Sequence, residues 1–224
     1  MKIVATHQII SVGDFAQSAE WQFIRNSAQA AVISAEWPEN SGKFSIYPES
    51  GKKSGMGNGV KPIKNNVIRT LTENKLTYSQ LYKQKKKSRV NAPIVDEWVA
   101  EHPWPMAGRI KPGNMDAAYV TNDQLVCFEW ETGNISSSHR SINKICLGLL
   151  KGVIKGGILV VPSRALYPYL TDRIGNVAEL EPYFDLWRAT PCEAGIFEIF
   201  VIEHDETSFD VPRIPKGTDG RAKI

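Results

Sequence analysis

The sequence predicts an α/β fold, with a central mixed β-sheet flanked by helices. Three observations carry that expectation. Residues 115–131 read as a hairpin, two strand-like runs joined by the polar stretch Thr121-Asn122-Asp123-Gln124. Ile158 to Val161 is a continuous apolar run after Gly156-Gly157, the composition of a strand buried on both faces. Between them, Ile142, Ile145, Cys146, Leu149 and Leu150 form one stripe at helical spacing.

The remaining elements follow in chain order. Residues 14–33 read as a helix capped by Asp14, with Phe15, Ala19, Phe23 and Ala30 along one side. Residues 43–47 form a short strand that Pro48 ends. The glycine-rich stretch 51–59 is a flexible turn, since a phosphate loop needs a preceding apolar strand and a Gly-Lys-Ser/Thr ending. Pro62 opens a second helix running to about Asn74. Residues 75–96 are a basic insertion, 94–101 a short helix, and Pro103 and Pro105 force extended chain after it. Beyond the central strand come short helices at 165–170 and 177–187 and another strand at 195–203. Residues 205–224, with Pro212, Pro215, Gly217 and Gly220, form an irregular C-terminal arm. With 224 residues, 42% of them hydrophobic and 23% charged, one globular domain over 1–224 is expected.

Charge is unevenly distributed. Residues 51–90 hold eleven Lys and Arg against one Glu, a net +10 that leaves the rest at −7 of the overall +3. Such a segment suits a polyanion such as nucleic acid, although a solvated loop has the same composition. Cys127, Cys146 and Cys192 are odd in number and lack Cys-x-x-Cys spacing, which argues against a disulfide framework or a zinc site and for a reducing cytoplasm. The four histidines are scattered without metal-site spacing. No signal peptide or membrane span is legible, so no membrane partner is expected.

The hairpin brings acids together. Glu129 and Glu131 are two apart on one strand and project to the same face. A turn centred between Asn122 and Asp123 sets Asp116 opposite Glu129. Directly opposed like charges destabilise a hairpin, and a hard divalent cation would relieve them, as Mg²⁺ is held by one or two carboxylates with phosphate oxygens. A structural ion network is the alternative. Immediately downstream, residues 132–140 open the striped helix, whose N-terminus is an anion site. Asn134 and Arg140 there suit adenine and guanine edges, or are a helix cap and an incidental charge. Asp172-Arg173 could read one C·G pair, or be a surface ion pair.

The blocks FEWETGNISSSHRSINKICLGLL (128–150), YLTDRIGNVAELEPYF (169–184) and IPKGTDG (214–220), with GVKPIK (59–64) and residues 101–116, resemble the BamHI-type type II restriction endonucleases over most of the chain. The resemblance implies a restriction-endonuclease-like fold and a Mg²⁺-dependent homodimer, with two ions per active site. It also implies double-strand cuts in the palindrome GGATCC after the first G, leaving 5′ overhangs. Asp116, Glu129 and Glu131 fall on the family's catalytic carboxylates, Glu101 on a further acid beside the metals, and the Trp130 carbonyl on a metal ligand. Asn134, Ser136, Arg140, Asp172 and Arg173 fall on major-groove readers, Asp219 on a minor-groove arm, and Lys64 on a basic position near the active site. The helices starting near Ser136 and Val177 would form the dimer contact. A matching DNA methyltransferase would be a functional partner. The wider nuclease superfamily carries Asp…Glu-x-Lys; here Glu131 replaces the lysine, as in the BamHI-type group. A catalytically silent DNA-binding protein and a non-specific repair nuclease are the competing functions.

Overall fold

The computed structural model describes residues 1–49, 57–73, 97–105, 112–121, 125–171 and 174–216. The basic insertion, Asp172, Arg173 and Asp219 lie outside the described residues.

Among the described residues, eight strands and five α-helices follow in order. They are β1 (Lys2–Val12), α1 (Ala19–Ile33), β2 (Ser45–Ile46), α2 (Lys61–Glu73), β3 (Glu97–Ala100), β4 (Ala117–Val120), β5 (Leu125–Trp130), α3 (Ile135–Leu150), β6 (Gly156–Pro162), α4 (Val177–Leu180), α5 (Phe184–Arg188), β7 (Gly195–Glu203) and β8 (Glu206–Thr207). Six strands form one mixed sheet in the order β1-β7-β6-β5-β4-β3. Strands β5, β6 and β7 run parallel, and β1, β4 and β3 join antiparallel. Short β2 and β8 pair apart from it.

Alternation along the parallel strands divides the core into two layers. Phe128, Ile158, Val160 and Phe200 face the layer that holds Trp21 and Ile24 of α1 and Val67 and Leu71 of α2. Cys127, Leu159, Val161 and Ile199 face the layer of Ile142, Ile145 and Leu149 from α3, with Phe184 and Trp187 of α5. With an apolar layer on each side, β6 is buried at every residue, which is why it reads as an unbroken apolar run. Gly157 sets the spacing of α3: a Cβ there would stand 2.3 Å from Ile145 Cγ2. Any side chain at 157 would push the helix off the sheet.

Several expectations need correction. The 14–33 helix starts later: Asp14–Gln17 is a 3₁₀ turn, and Ser18 caps α1 by accepting from the Trp21 N–H. Residues 97–100 are strand rather than helix, because Trp98 and Val99 pair with Tyr119 and Ala118 at the sheet edge. Residues 2–12, rich in Ile and Val, form a further strand, β1, that pairs with β7 along its length. Leu150 is 44% exposed and leaves the α3 stripe. Residues 167–169 form only a 3₁₀ turn, and 177–188 splits into α4 and α5 around another. Among the described residues no helix is long and apolar enough to cross a membrane.

Candidate active site

The hairpin register agrees with the sequence reading. Ala117 pairs with Phe128 and Val120 with Leu125, so one step further places Asp116 beside Glu129. A hydrogen bond closes that end: the Trp130 N–H donates to Asp116 Oδ2 at 2.8 Å. Strand β5 turns Cys127 and Glu129 toward α3 and Trp130 toward the other layer. Glu129 is buried at 2% exposure and Glu131 at 9%.

Helix α3 lies over these acids and supplies two residues that the sequence reading missed. Ser141 Oγ lies 2.6 Å from Glu131 Oε1 and 3.2 Å from Glu129 Oε2, so one hydroxyl gathers both glutamates. One turn on, Lys144 Nζ donates to Glu129 Oε1 at 2.6 Å and to the Asn114 carbonyl at 2.7 Å. A lysine flanked by Ile142, Ile145 and Cys146 is buried, and that placement was the available signal. Buried lysines are rare unless paired. On the opposite side, Lys64 of α2 reaches Asp116 Oδ1 at 2.6 Å.

These contacts revise the repulsion argument. Among the described residues no three His, Cys, Asp or Glu side chains stand together as a ready metal-holding group. Two lysines supply positive charge to Asp116 and Glu129 instead, so a cation is not needed to make the cluster tolerable. The compensation is incomplete. Burial, opposed by Lys144 and reinforced by Asp116 and Glu131, pushes the Glu129 carboxyl up to about 7. Burial also raises Glu131, against the Ser141 hydrogen bond and the charges of Lys64 and Arg140. The donor set around this point, Asp116, Glu129, Glu131 and the Trp130 carbonyl, is all hard oxygen. It fits Mg²⁺ far better than a soft or nitrogen-preferring metal.

Glu101 joins the site through its backbone. Its N–H donates to the Asp116 carbonyl at 3.0 Å, and its φ of +52° is a left-handed conformation that costs a non-glycine residue about 1–3 kcal/mol. Its side chain is exposed.

The expected base readers at the start of α3 are on the surface. Asn134, Ser136 and Arg140 are exposed, and Arg140 is close enough to act electrostatically on Glu131. Asn134 is also the helix cap, its Oδ1 accepting from the Ser137 N–H at 3.0 Å. An open groove of about 520 Å³ runs over Ser136, His139, Arg140, Asn143 and Lys144. Acidic groups that could hold a cation and exposed groups that could touch bases therefore share one helix and strand.

The family model described as "Restriction endonuclease BamHI" matches residues 1–221. The chain is 43% identical over 199 residues to the type II restriction enzyme OkrAI of Oceanobacter kriegii, covering 89% of each. It is 36% identical over 204 residues to the type II restriction enzyme BamHI of Bacillus amyloliquefaciens, covering 88% of this chain and 82% of that one. A match across nearly the whole length, on a mixed sheet with acids at the end of its central hairpin, leaves one assignment: the chain belongs to the BamHI family of restriction endonucleases.

Proposed function

We propose that this chain is a type II restriction endonuclease, a single domain over residues 1–224 that acts as a homodimer on palindromic double-stranded DNA. The proposed target is G^GATCC, cut in a Mg²⁺-dependent reaction to leave 5′ overhangs, in a host protected by a matching methyltransferase. The observation that carries the reading is the convergence of Glu129 and Glu131 on Ser141 beside Asp116, on the element that also exposes Asn134, Ser136 and Arg140.

Asp116, Glu129, the Trp130 carbonyl and Glu101 are the residues that would hold two Mg²⁺ ions. Bound there, the ions would supply an activated water and charge stabilisation for the leaving 3′ oxygen. Glu131 takes the proton of the attacking water, and burial, by raising its pKa, makes it a stronger base than a free carboxylate. Ser141 holds one Glu131 oxygen and so fixes the direction of the other. The products carry 3′-hydroxyl and 5′-phosphate ends. Asn134, Ser136, Arg140, Asp172 and Arg173 read bases in the major groove, where each bidentate contact discriminates by about 1–3 kcal/mol. Asp219 lies on an arm in the minor groove, and Lys64 serves the catalytic end.

One observation favours a second reading. Asp116 and Glu129 each rest on a lysine, an arrangement that a non-cleaving DNA-binding protein could also keep. A plasmid digest with and without Mg²⁺ decides between them. Discrete fragments whose ends map to GGATCC support the restriction reading; intact plasmid supports the binder, and a smear a non-specific nuclease. Glu129→Ala should abolish cleavage yet tighten metal-free binding to the site, because it removes negative charge from beside the phosphate. Weaker metal-free binding by that variant would contradict the electrostatic argument.

A further inference from the structure

We propose that Lys64 serves two anions in turn: its ammonium neutralises Asp116 until a divalent cation takes that carboxylate, and then moves to an oxygen of the scissile phosphate. The inference rests on the restriction-enzyme reading above and deepens it, giving Lys64 a defined partner on the DNA.

Both oxygens of Asp116 are engaged, by donors of unequal freedom. Oδ2 accepts from the Trp130 N–H at 2.8 Å, and Oδ1 from Lys64 Nζ at 2.6 Å. The first donor is main chain at the end of β5, where Trp130 is buried and pairs with Val160 of β6. It cannot withdraw without opening the sheet. The second is the tip of a side chain. Mg²⁺ sits about 2 Å from its ligand oxygens. An ion at that distance from Oδ1 would share one oxygen with an ammonium, and like charges so close repel. The lysine is the partner that yields.

Its anchorage permits this. Ile63, Val67 and Leu71 are buried and hold α2 against the sheet, and the Lys64 N–H donates to the Val60 carbonyl at 3.2 Å. The side chain beyond is 32% exposed, and among the described residues Asp116 is its hydrogen-bond partner. Lys144, by contrast, is buried and held a second time by the Asn114 carbonyl, so it has no second position to take. The destination follows from reach. A phosphate oxygen and Asp116 Oδ1 on one ion would lie no more than about 4 Å apart. The ammonium starts 2.6 Å from Oδ1 and swings on a flexible four-carbon stem, so that oxygen is in range with α2 unmoved. Glu131 is the competing acceptor, because the Lys64 charge already acts on it.

The test is a double-mutant cycle across the protein–DNA contact, read as binding rather than cleavage. The bond that full-length wild-type protein cuts with Mg²⁺ is first mapped on a GGATCC duplex, and a second duplex carries an uncharged methylphosphonate at that bond. Fluorescence anisotropy then gives the affinities of wild type and Lys64→Ala for both duplexes, in saturating calcium and in EDTA, with the DNA checked intact on a gel. In calcium, Lys64→Ala should weaken binding to the natural duplex by roughly 10-fold, the value of a charged hydrogen bond. On the methylphosphonate duplex its effect should stay within about two-fold, because the contact is already lost there. In EDTA the substitution should change the affinity for both duplexes by the same factor, to within about two-fold. Lys64→Gln serves the same cycle should the alanine variant not fold. Absence of coupling in calcium would send the ammonium to Glu131 or to solvent, and equal coupling in calcium and EDTA would make Lys64 a static phosphate contact; either overturns the inference. A wild-type protein that cuts no defined bond would instead overturn the restriction reading, and this inference with it.

Discussion

The two lysines that meet the acidic cluster do so in opposite surroundings. Lys144 and Glu129 have side chains only 5% and 3% exposed, and Lys144 is held a second time by the Asn114 carbonyl. Lys64 and Asp116 are 32% and 16% exposed, and Lys64 arrives from a helix on the other side of the sheet. The inner pair is part of the core: separating it would strand a charge away from water, which is expensive. The outer pair sits where water screens it and can reorganise at little cost. The inner lysine therefore acts as a fixed counter-charge that leaves Glu129 Oε2 for other partners. The outer lysine is a displaceable cation beside Asp116.

That contrast can be broken from either side. The largest effect belongs to Lys144→Met, which leaves Glu129 buried without its partner and should cost about 3–5 kcal/mol in urea denaturation at pH 8. The cost should shrink at pH 6, where Glu129 takes up a proton and no naked charge remains. A loss below about 1 kcal/mol at both pH values would make the inner pair no different from a surface one.

Next in size is the pH dependence of cation binding. With its carboxyl pushed up to about 7, Glu129 holds a proton below that pH, and a cation bound at the proposed site would have to displace it. Calcium affinity measured by calorimetry on the metal-free protein should rise by up to about ten-fold per pH unit between pH 6 and 7 and level off above. A profile flat from pH 6 to 8 would show that no such proton is displaced. The sign for stability is opposite. A carboxyl whose folded pKa exceeds its unfolded value favours folding at low pH, and this contribution fades as pH rises from about 4.5 to about 7.

Lys64→Ala should give the smallest effect on folding, under about 1 kcal/mol. It should tighten calcium binding, since it removes a positive charge that occupies Asp116. Weaker calcium binding by this variant would mean that Lys64 organises the site rather than competing for it.

Legibility followed how local each cause was. The hairpin register needed only a polar turn and two flanking strands, so the meeting of Asp116 with Glu129 is legible in the sequence alone. The end of β7 and the burial of β6 were equally plain, because apolar runs and glycine punctuation mark them. Strand β1 carries polar residues along an edge, and only pairing with β7 made it a strand. Residues 97–100 looked helical in isolation and became β3 because an open edge of β4 was available. In the candidate site, the acids and the exposed residues proposed to read bases from α3 were named from sequence and resemblance, whereas Ser141 and Lys144 were not. Their contacts depend on partners 10 and 15 residues away.

By itself, the sequence determined the mixed α/β architecture, the hairpin that aligns its acids, and the family to which long matching blocks assign it, since turn chemistry and side-chain periodicity act over a few residues. Tertiary structure alone decided how those acids are charged and held. Gly157 lets α3 settle close enough for Ser141 and Lys144 to reach the carboxylates, and burial then sets the proton affinity of Glu129. Desolvation and ion pairing depend on what lies within a few ångströms in space, and chain order does not encode that distance.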